Sequence, residues 1–365
     1  MTPANKGELA KVRPDEMARQ VIRGLVERTG LDVDDVEDLL LGCSSPEGEQ
    51  GLNLARLVGF LADLPVSMAA VTINRFCGSS MQAIHTAAGA VQMNAGECFI
   101  CAGVESMTRV PIWGFNPMPH PGLHASYAEA YTSMGMTAEN VARIYGISRE
   151  EQETFAVESH RKAAQAAAGG RFDDEIVSIR DGDRVISRDG CIRPGTTAEA
   201  LAGLKPVFLA GGTVTAGTAS PLTDGASAVL VCSERYAREK GLDMLARIRS
   251  VAVSGCSPEI MGMGPVASTT KALQRAGLTM DDMDVIEINE AFASQSLAVV
   301  KELGVDQAKL NLDGGAVALG HPLGASGARV TGKAASLLKR EGARYALATM
   351  CIGGGQGIAT VLEAI

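Results

Sequence analysis

Apolar and polar positions alternate along this chain with two periods, and the order in which the periods switch lays out a fold. In E-M-A-R-Q-V-I-R-G-L-V-E-R-T-G, Ala18, Val21, Ile22, Leu25 and Val26 recur at helical spacing on one face, and Gly30 suits the stop. The next segment, L-D-V-D-D-V-E-D-L-L-L-G-C, reads as a polar turn and then an apolar strand. S-M-A-A-V-T-I-N-R-F is rich in small and β-branched residues and predicts a buried strand. It runs straight into C-G-S-S-M-Q-A-I-H-T-A-A-G-A-V-Q-M-N-A-G, a helix, and E-C-F-I-C-A-G-V-E-S-M predicts another buried strand. Strands alternating with helices imply an α/β fold with a mainly parallel sheet.

The pattern changes after about residue 110. Pro, Gly and aromatic residues come first, then two polar helical stretches, then a charged, loop-like run through D-G-D-R-V-I-S-R-D-G-C-I-R-P-G. This reads as an insertion. The expected organisation is an N-terminal half over 1–109, an inserted loop domain over 110–210, a return to the first half over 211–244, and a second half over 245–365. The second half echoes the first. T-K-A-L-Q-R-A-G-L-T-M-D-D-M-D-V-I-E-I-N repeats the helix, Gly-Leu, Asp-Asp turn and strand of the opening. Y-A-L-A-T-M-C-I-G-G-G-Q-G repeats A-A-V-T-I-N-R-F-C-G-S-S as strand, Cys, Gly. Two echoes in the same order favour an internal duplication.

Composition narrows the function. Apolar residues are 46% and charged residues 21%, as in a soluble globular protein that can bury a large core. The net charge of −9 argues against a general nucleic-acid binder but not against a small anionic ligand held by local basic groups and backbone N–H. The N-terminus lacks the apolar region of a signal peptide, and no apolar run is long enough to span a membrane. The expected location is the cytoplasm, with the eight cysteines reduced.

Most of those thiols read as core; a few have chemical context. Cys77 in N-R-F-C-G-S-S-M-Q stands where a strand meets a helix, and the helix dipole there favours thiolate. Backbone N–H groups at such a turn can stabilise an oxyanion. Of the five histidines, only His321 lies in a glycine-rich frame, G-G-A-V-A-L-G-H-P-L-G-A-S-G-A-R, whose backbone must approach something closely. It is the natural base for a cysteine. Cys351 in T-M-C-I-G-G-G-Q-G is a second strand-Cys-Gly turn, able to act as acid and base. Asn289 in E-I-N-E-A-F-A can orient a water or donate to an oxyanion. The segment from Gly327 to Lys333 misses a Walker loop because Ala334 replaces the Mg²⁺-binding hydroxyl. Cys98 and Cys101 are three apart in a strand and so face opposite sides, which speaks against a metal; no metal site is expected.

These blocks, with V-T-A-G-T-A-S between them, resemble the thiolase family in order and over nearly the whole chain. The C-G-S-S-M-Q and A-T-M-C-I-G-x-G-Q-G-I-A-T forms are most similar to the degradative subunit of bacterial fatty-acid oxidation complexes. The resemblance implies two similar α/β/α/β/α halves in five layers, with an insertion that forms the coenzyme A site. It implies that Cys77, activated by His321, attacks the keto carbon of a 3-ketoacyl-CoA. Cys351 then protonates the departing acetyl-CoA enolate, and coenzyme A removes the shortened acyl group. His321 with a water held by Asn289 would form one oxyanion hole; the N–H groups of Cys77 and Gly353 would form the other. Coenzyme A, as co-substrate and not a permanent cofactor, would meet Arg193, Ser220, Met134, Phe208 and Phe292. A homodimer or dimer of dimers is implied, with a hydratase/dehydrogenase subunit as a further partner. Biosynthetic condensation of acetyl-CoA and a non-catalytic acyl-CoA-binding scaffold are the alternatives. Two departures stand out: Ala200 replaces a Ser that some members carry, and the opening strand before Arg-Thr-Pro is expected to be missing, since the chain starts Met1-Thr2-Pro3.

Overall fold

The amphipathic opening forms α1 (Pro14–Thr29), with Pro14 in its first turn and Gly30 closing it in the left-handed conformation at φ 64°. A computed structural model describes all 365 residues. In chain order the strands are β1 (Thr2–Pro3), β2 (Asp38–Gly42), β3 (Ala69–Ile73), β4 (Cys98–Ser106), β5 (Ile179–Asp181), β6 (Arg184–Ile186), β7 (Thr223–Cys232), β8 (Arg247–Gly255), β9 (Val285–Ile288), β10 (Tyr345–Ile352) and β11 (Gln356–Glu363). After α1 the helices are α2 (Leu54–Leu61), α3 (Ser79–Gln92), α4 (Pro121–Ser126), α5 (Met134–Tyr145), α6 (Arg149–Ala168), α7 (Ala198–Ala202), α8 (Glu234–Glu239), α9 (Gly264–Ala276), α10 (Ala293–Leu303), α11 (Ala316–Leu319) and α12 (Ser326–Glu341).

One sheet runs β1-β7-β4-β2-β3 and the other β8-β11-β10-β9; β5 and β6 form a separate hairpin. Helices α1 and α2 cover the outer face of the first sheet, α3 and α12 lie between the sheets, and α9 covers the second sheet with α10 beside it. That is the expected five-layer α/β/α/β/α arrangement. Each sheet is buried on both faces. Leu39 and Leu41 point to the α1 side and Leu40 to the α3 side, all almost fully buried. Removing such a side chain from water is worth ~1.5–3 kcal/mol.

Several expectations need correction. The sheets are mixed, not mainly parallel: β2 pairs parallel with β3 and β4, but β7 returns antiparallel to β4. In the second sheet only β9 and β10 are parallel. β11 follows β10 through a tight turn and so runs antiparallel to it, whereas β7 returns antiparallel to β4 only after the long insertion. β3 is not buried. It is the last strand of its sheet, with β2 as its only strand neighbour, and Val71 is 39% exposed.

The duplication is present, with a different alignment of its second echo. β9 corresponds to β2, each preceded by a helix that ends in a left-handed Gly, Gly277 or Gly30. β10, parallel to β9 and antiparallel to β11, takes the place of β4, which is parallel to β2 and antiparallel to β7. The counterpart of β3 is the short bridge of Leu310 to Ile286. Cys77 and Cys351 therefore come from non-equivalent strands. It is Cys77 and His321 that share a place, each on the connection into a central helix.

The segment 110–210 packs mainly on the second half, with α5 and α6 against α10, and α6 against α11. Where the opening strand is expected to be missing, two residues do pair: Thr2 and Pro3 run antiparallel to Asp224 and Thr223 at the edge of the first sheet. No helix is long and apolar enough to cross a membrane.

Candidate active site

The chain turns sharply before Cys77. Phe76 takes a positive φ of 43°, costly for a bulky residue, and its N–H is held by Asn74 Oδ1 at 2.9 Å. Ser79 Oγ donates to the Phe76 carbonyl at 2.6 Å and accepts the Arg75 N–H at 2.9 Å. This clamp delivers Cys77 to the start of α3. The thiol is buried, and Gly353 directs its N–H at the sulfur. Gly353 opens the tight turn between β10 and β11. Gly355 in that turn has φ 77°, and a Cβ there would lie 2.3 Å from the Cys256 carbonyl. Cys351, two residues before Gly353, is near enough to Cys77 that the Cys77 sulfur, after burial, adds to the rise of its thiol. The second cysteine, the first cysteine and the Gly353 N–H thus meet.

His321 and Asn289 approach the same strand ends. Asn289 follows β9 and donates its N–H to the Thr349 carbonyl of β10 at 3.0 Å, two residues before Cys351. Its Nδ2 lies 3.3 Å from His321 Nε2 and 3.4 Å from Nδ1. Ser326 Oγ is 2.5 Å from His321 Nδ1 and donates its own proton to the Pro322 carbonyl at 3.0 Å. The Oγ therefore accepts from Nδ1–H, which leaves Nε2 as the free base. The glycine-rich frame does approach closely, as its composition predicted. A Cβ at Gly327 would lie 2.2 Å from the Met81 nitrogen on α3, and Ala328 donates its N–H to Ser80 Oγ at 2.8 Å.

Electrostatics correct one expectation. Burial pushes the Cys77 thiol up to about 11, and the Glu105 carboxylate adds to that rise; the Gly353 N–H opposes it without prevailing. Burial, helped by the Arg329 cation, drives His321 down to about 3. Cys351 is raised well above its ordinary value, first by burial. The helix dipole does not make a resting thiolate here. The thiol and the imidazole each rest neutral, because burial penalises both charges.

The apolar residues assigned to coenzyme A also gather here. Met134 and Phe292 pack in one cluster with Cys351, Met261, Ala138 and Val214. The Met134 sulfur comes within 3.5 Å of where a Gly353 Cβ would sit. Phe208, half-exposed, meets Phe292 edge-on at 6.0 Å between ring centres. Ser220 bonds the Ala291 carbonyl with its N–H at 3.0 Å and its hydroxyl at 3.1 Å, which ties this loop to Asn289's segment. Arg193 stands apart. Its side chain is exposed and makes no hydrogen bond, while its N–H is held at 3.2 Å by Nδ1 of buried His160.

Sequence reading missed several contributors. Fully buried Glu105 accepts N–H groups from Ser44, Ser45 and Gly324 and a bond from Gln50, so it braces the loop just after His321. Trp113 meets Phe76 edge-on at 5.5 Å. Neither carries a pattern that spacing could expose. Lys333, the near-Walker lysine, is structural, bonding Asp313 at 2.6 Å and Glu175 at 2.8 Å.

The arrangement offers a buried thiol, a buried imidazole, a second buried thiol and an N–H donor, which is the equipment of acyl transfer. Comparisons with known proteins agree. The family description "Thiolase, N-terminal domain" matches residues 1–235, and "Thiolase, C-terminal domain" matches 242–364. The 3-ketoacyl-CoA thiolase of Pseudoalteromonas translucida (strain TAC 125) is 50% identical over 370 residues, covering 98% of this chain and 95% of that protein. That of Shewanella sp. (strain MR-7) is 50% identical over 376 residues, covering 100% of this chain and 97% of that protein. Human mitochondrial 3-ketoacyl-CoA thiolase superposes with a TM-score of 0.91 at 38% identity, over 100% of this chain and 96% of that one. The same human enzyme in complex with CoA gives the same TM-score of 0.91.

Proposed function

Because this chain belongs to the thiolase family, matched in both of its domains, we propose that Cys77 is the nucleophile that carries its acyl intermediate. The enzyme is an acyltransferase that uses coenzyme A to cleave a 3-ketoacyl-CoA to acetyl-CoA and a shortened acyl-CoA. Its relatives are named for that direction, which disfavours the biosynthetic and scaffold alternatives.

The observation that carries the residue roles is the meeting of Gly353 N–H, Cys77 and Cys351, with His321 held by Asn289 and Ser326 beside the same strand ends. His321 Nε2 takes the Cys77 proton as the sulfur attacks the keto carbon, so neither charge forms before substrate fills the site. The N–H groups of Cys77 and Gly353 hold one developing oxyanion, and His321 with the Asn289 amide serves the other. Such donors can each contribute ~3–4 kcal/mol. The bond between the α and keto carbons breaks, Cys351 gives its proton to the acetyl-CoA enolate, and coenzyme A then releases the acyl group from Cys77. Met134, Phe208 and Phe292 line the pantetheine, Ser220 shapes that wall, and exposed Arg193 meets the nucleotide end. The insertion 110–210 supplies much of this wall.

The functional unit is a homodimer or dimer of dimers in the cytoplasm, open to a hydratase/dehydrogenase partner. The unpaired edge of β3 and exposed Phe60, Leu61 and Val66 support self-association. The test is to incubate the enzyme with a 3-ketoacyl-CoA and no free coenzyme A, then find the acyl adduct by peptide mass spectrometry. It is expected on Cys77 and discharged by added coenzyme A. Undiminished turnover in Cys77→Ala refutes the reading.

A further inference from the structure

Ser326, Arg329 and Lys333 lie at i, i+3 and i+7 along α12, one face of the helix. That face runs beside β9 and its exit, where Glu287 and Asn289 share a side at strand spacing. Two polar stripes with different periods therefore meet under the active site. Ser326 reaches His321, Arg329 reaches Asn289, and Lys333 reaches Asp313.

Arg329 is the unexplained member. Its side chain is largely buried at 13% exposure, and NH2 donates to Asn289 Oδ1 at 3.3 Å. That oxygen is the only hydrogen-bond acceptor the guanidinium reaches. NH1 stands 3.8 Å from the Glu287 carboxylate, and NH1, Nε and Glu287 Oε1 are buried without a hydrogen-bond partner. A buried cation with unused donors is costly. A leucine or methionine would fill the space without that cost.

The guanidinium is a donor only, whereas a carboxamide can present either an oxygen or an NH₂ group. With Arg329 on one side, the Asn289 oxygen must face α12, and its NH₂ must face His321. We propose that Arg329 is a positioning residue of this reaction: it selects the amide orientation of Asn289 and so sets the donors around His321. This rests on the roles given above to Asn289 and His321. A fixed cation at this place also opposes charging of the imidazole before substrate arrives. The other ionisable groups around the histidine are Glu105 from β4, which holds the Gly324 N–H; Glu287 and Glu290 from β9 and its exit; and the thiols of Cys77, Cys191 and Cys351. Arg329 is the one cation whose charge acts on His321.

The test is a double-mutant cycle with a pH profile. Arg329→Lys keeps the charge but not the planar fork. It is expected to lower kcat roughly tenfold, leave KM for coenzyme A unchanged, and keep the acid limb of kcat/KM in place. Adding Arg329→Lys to Asn289→Ala should cost no further rate, because the amide it orients is gone. Arg329→Met should move the acid limb to higher pH, since His321 then protonates more readily. Full kcat in Arg329→Lys, additive losses in the cycle, or an unmoved acid limb in Arg329→Met overturns the proposal. Should Arg329→Met not fold, the Lys and Ala cycle decides alone. An Asn289→Ala enzyme with full activity overturns the roles of the site and this inference together, whereas additivity overturns this inference only.

Discussion

Cys77 and His321 stand at corresponding points of the two halves, each on the connection that leads into one of the paired central helices, α3 and α12. The internal two-fold relation of the fold thus places the proposed nucleophile and the proposed base at matching points. Their separation depends on how closely those helices approach. The approach is made at Gly327, against the Met81 backbone, and at the bond from Ala328 N–H to Ser80 Oγ.

Gly327→Ala should therefore injure stability and catalysis together. Its Cβ would lie 2.2 Å from a backbone nitrogen, which no rotamer change relieves. Overpacking of this kind costs about 1–3 kcal/mol, and the displaced helix carries His321 away from Cys77. Urea unfolding and steady-state kinetics measure the two effects. Wild-type values in both would mean that the helices can separate without consequence.

The pH dependence of Cys77 alkylation distinguishes a neutral pair from an ion pair. With the thiol raised to about 11 and His321 lowered to about 3, the resting sulfur is protonated at every ordinary pH. Thiolate is the reactive form. The rate of labelling by iodoacetamide should then climb steadily from pH 6 to about 10. A thiolate–imidazolium pair would instead give a plateau reaching into acid. Labelling must be followed on the Cys77 peptide, because the other thiols also titrate high.

Much of this was legible in advance. The helical period of Ala18 to Val26, the strand blocks and the Cys-Gly junctions located most elements and singled out the groups to which the proposal gives roles, because local pattern and motif are carried by neighbouring residues. What stayed hidden depends on partners far away in the chain. β3 reads as a buried strand since its composition is right, but sheet order leaves it on an edge. Cys351 precedes a glycine turn that looks like the Cys-Gly junction of Cys77, yet it lies in β10, which pairs as β4 does. The thiolate expectation followed from the helix end alone; burial, which no local pattern reveals, decided the sign. Glu105 and Arg329 act through segments 219 and 40 residues away.

Trp113 offers a reporter that tests where the acyl chain lies. It is the only tryptophan, it packs on Phe76, and Phe76 comes within 3.7 Å of where a Gly353 Cβ would be. An acyl chain that left the thioester past Gly353 would meet Phe76 first and Trp113 next. Tryptophan emission should shift on binding a saturated acyl-CoA, more for decanoyl than for acetyl. Trp113→Ala should weaken kcat/KM for a long-chain substrate by roughly tenfold, with acetoacetyl-CoA little affected. Equal losses for both chain lengths would remove Trp113 from the acyl path.

Glu287 gives the stability of the protein a sign that can be checked. Burial pushes its carboxyl up to about 8, against the pull of Arg329 and Lys333. An unfolded glutamate releases its proton at ~4.3. Between those values the folded chain holds a proton that the unfolded chain lacks, so rising pH favours unfolding. The contribution is whole below ~4.3 and lost as pH passes through about 8. Glu287→Gln removes this titration while keeping the volume. The stability of the wild type minus that of Glu287→Gln should fall from pH 5 to pH 8, by up to ~1.4 kcal/mol per pH unit. A difference that stays flat or grows over this range would show that Glu287 is ionised in the folded state, paired fully with Arg329.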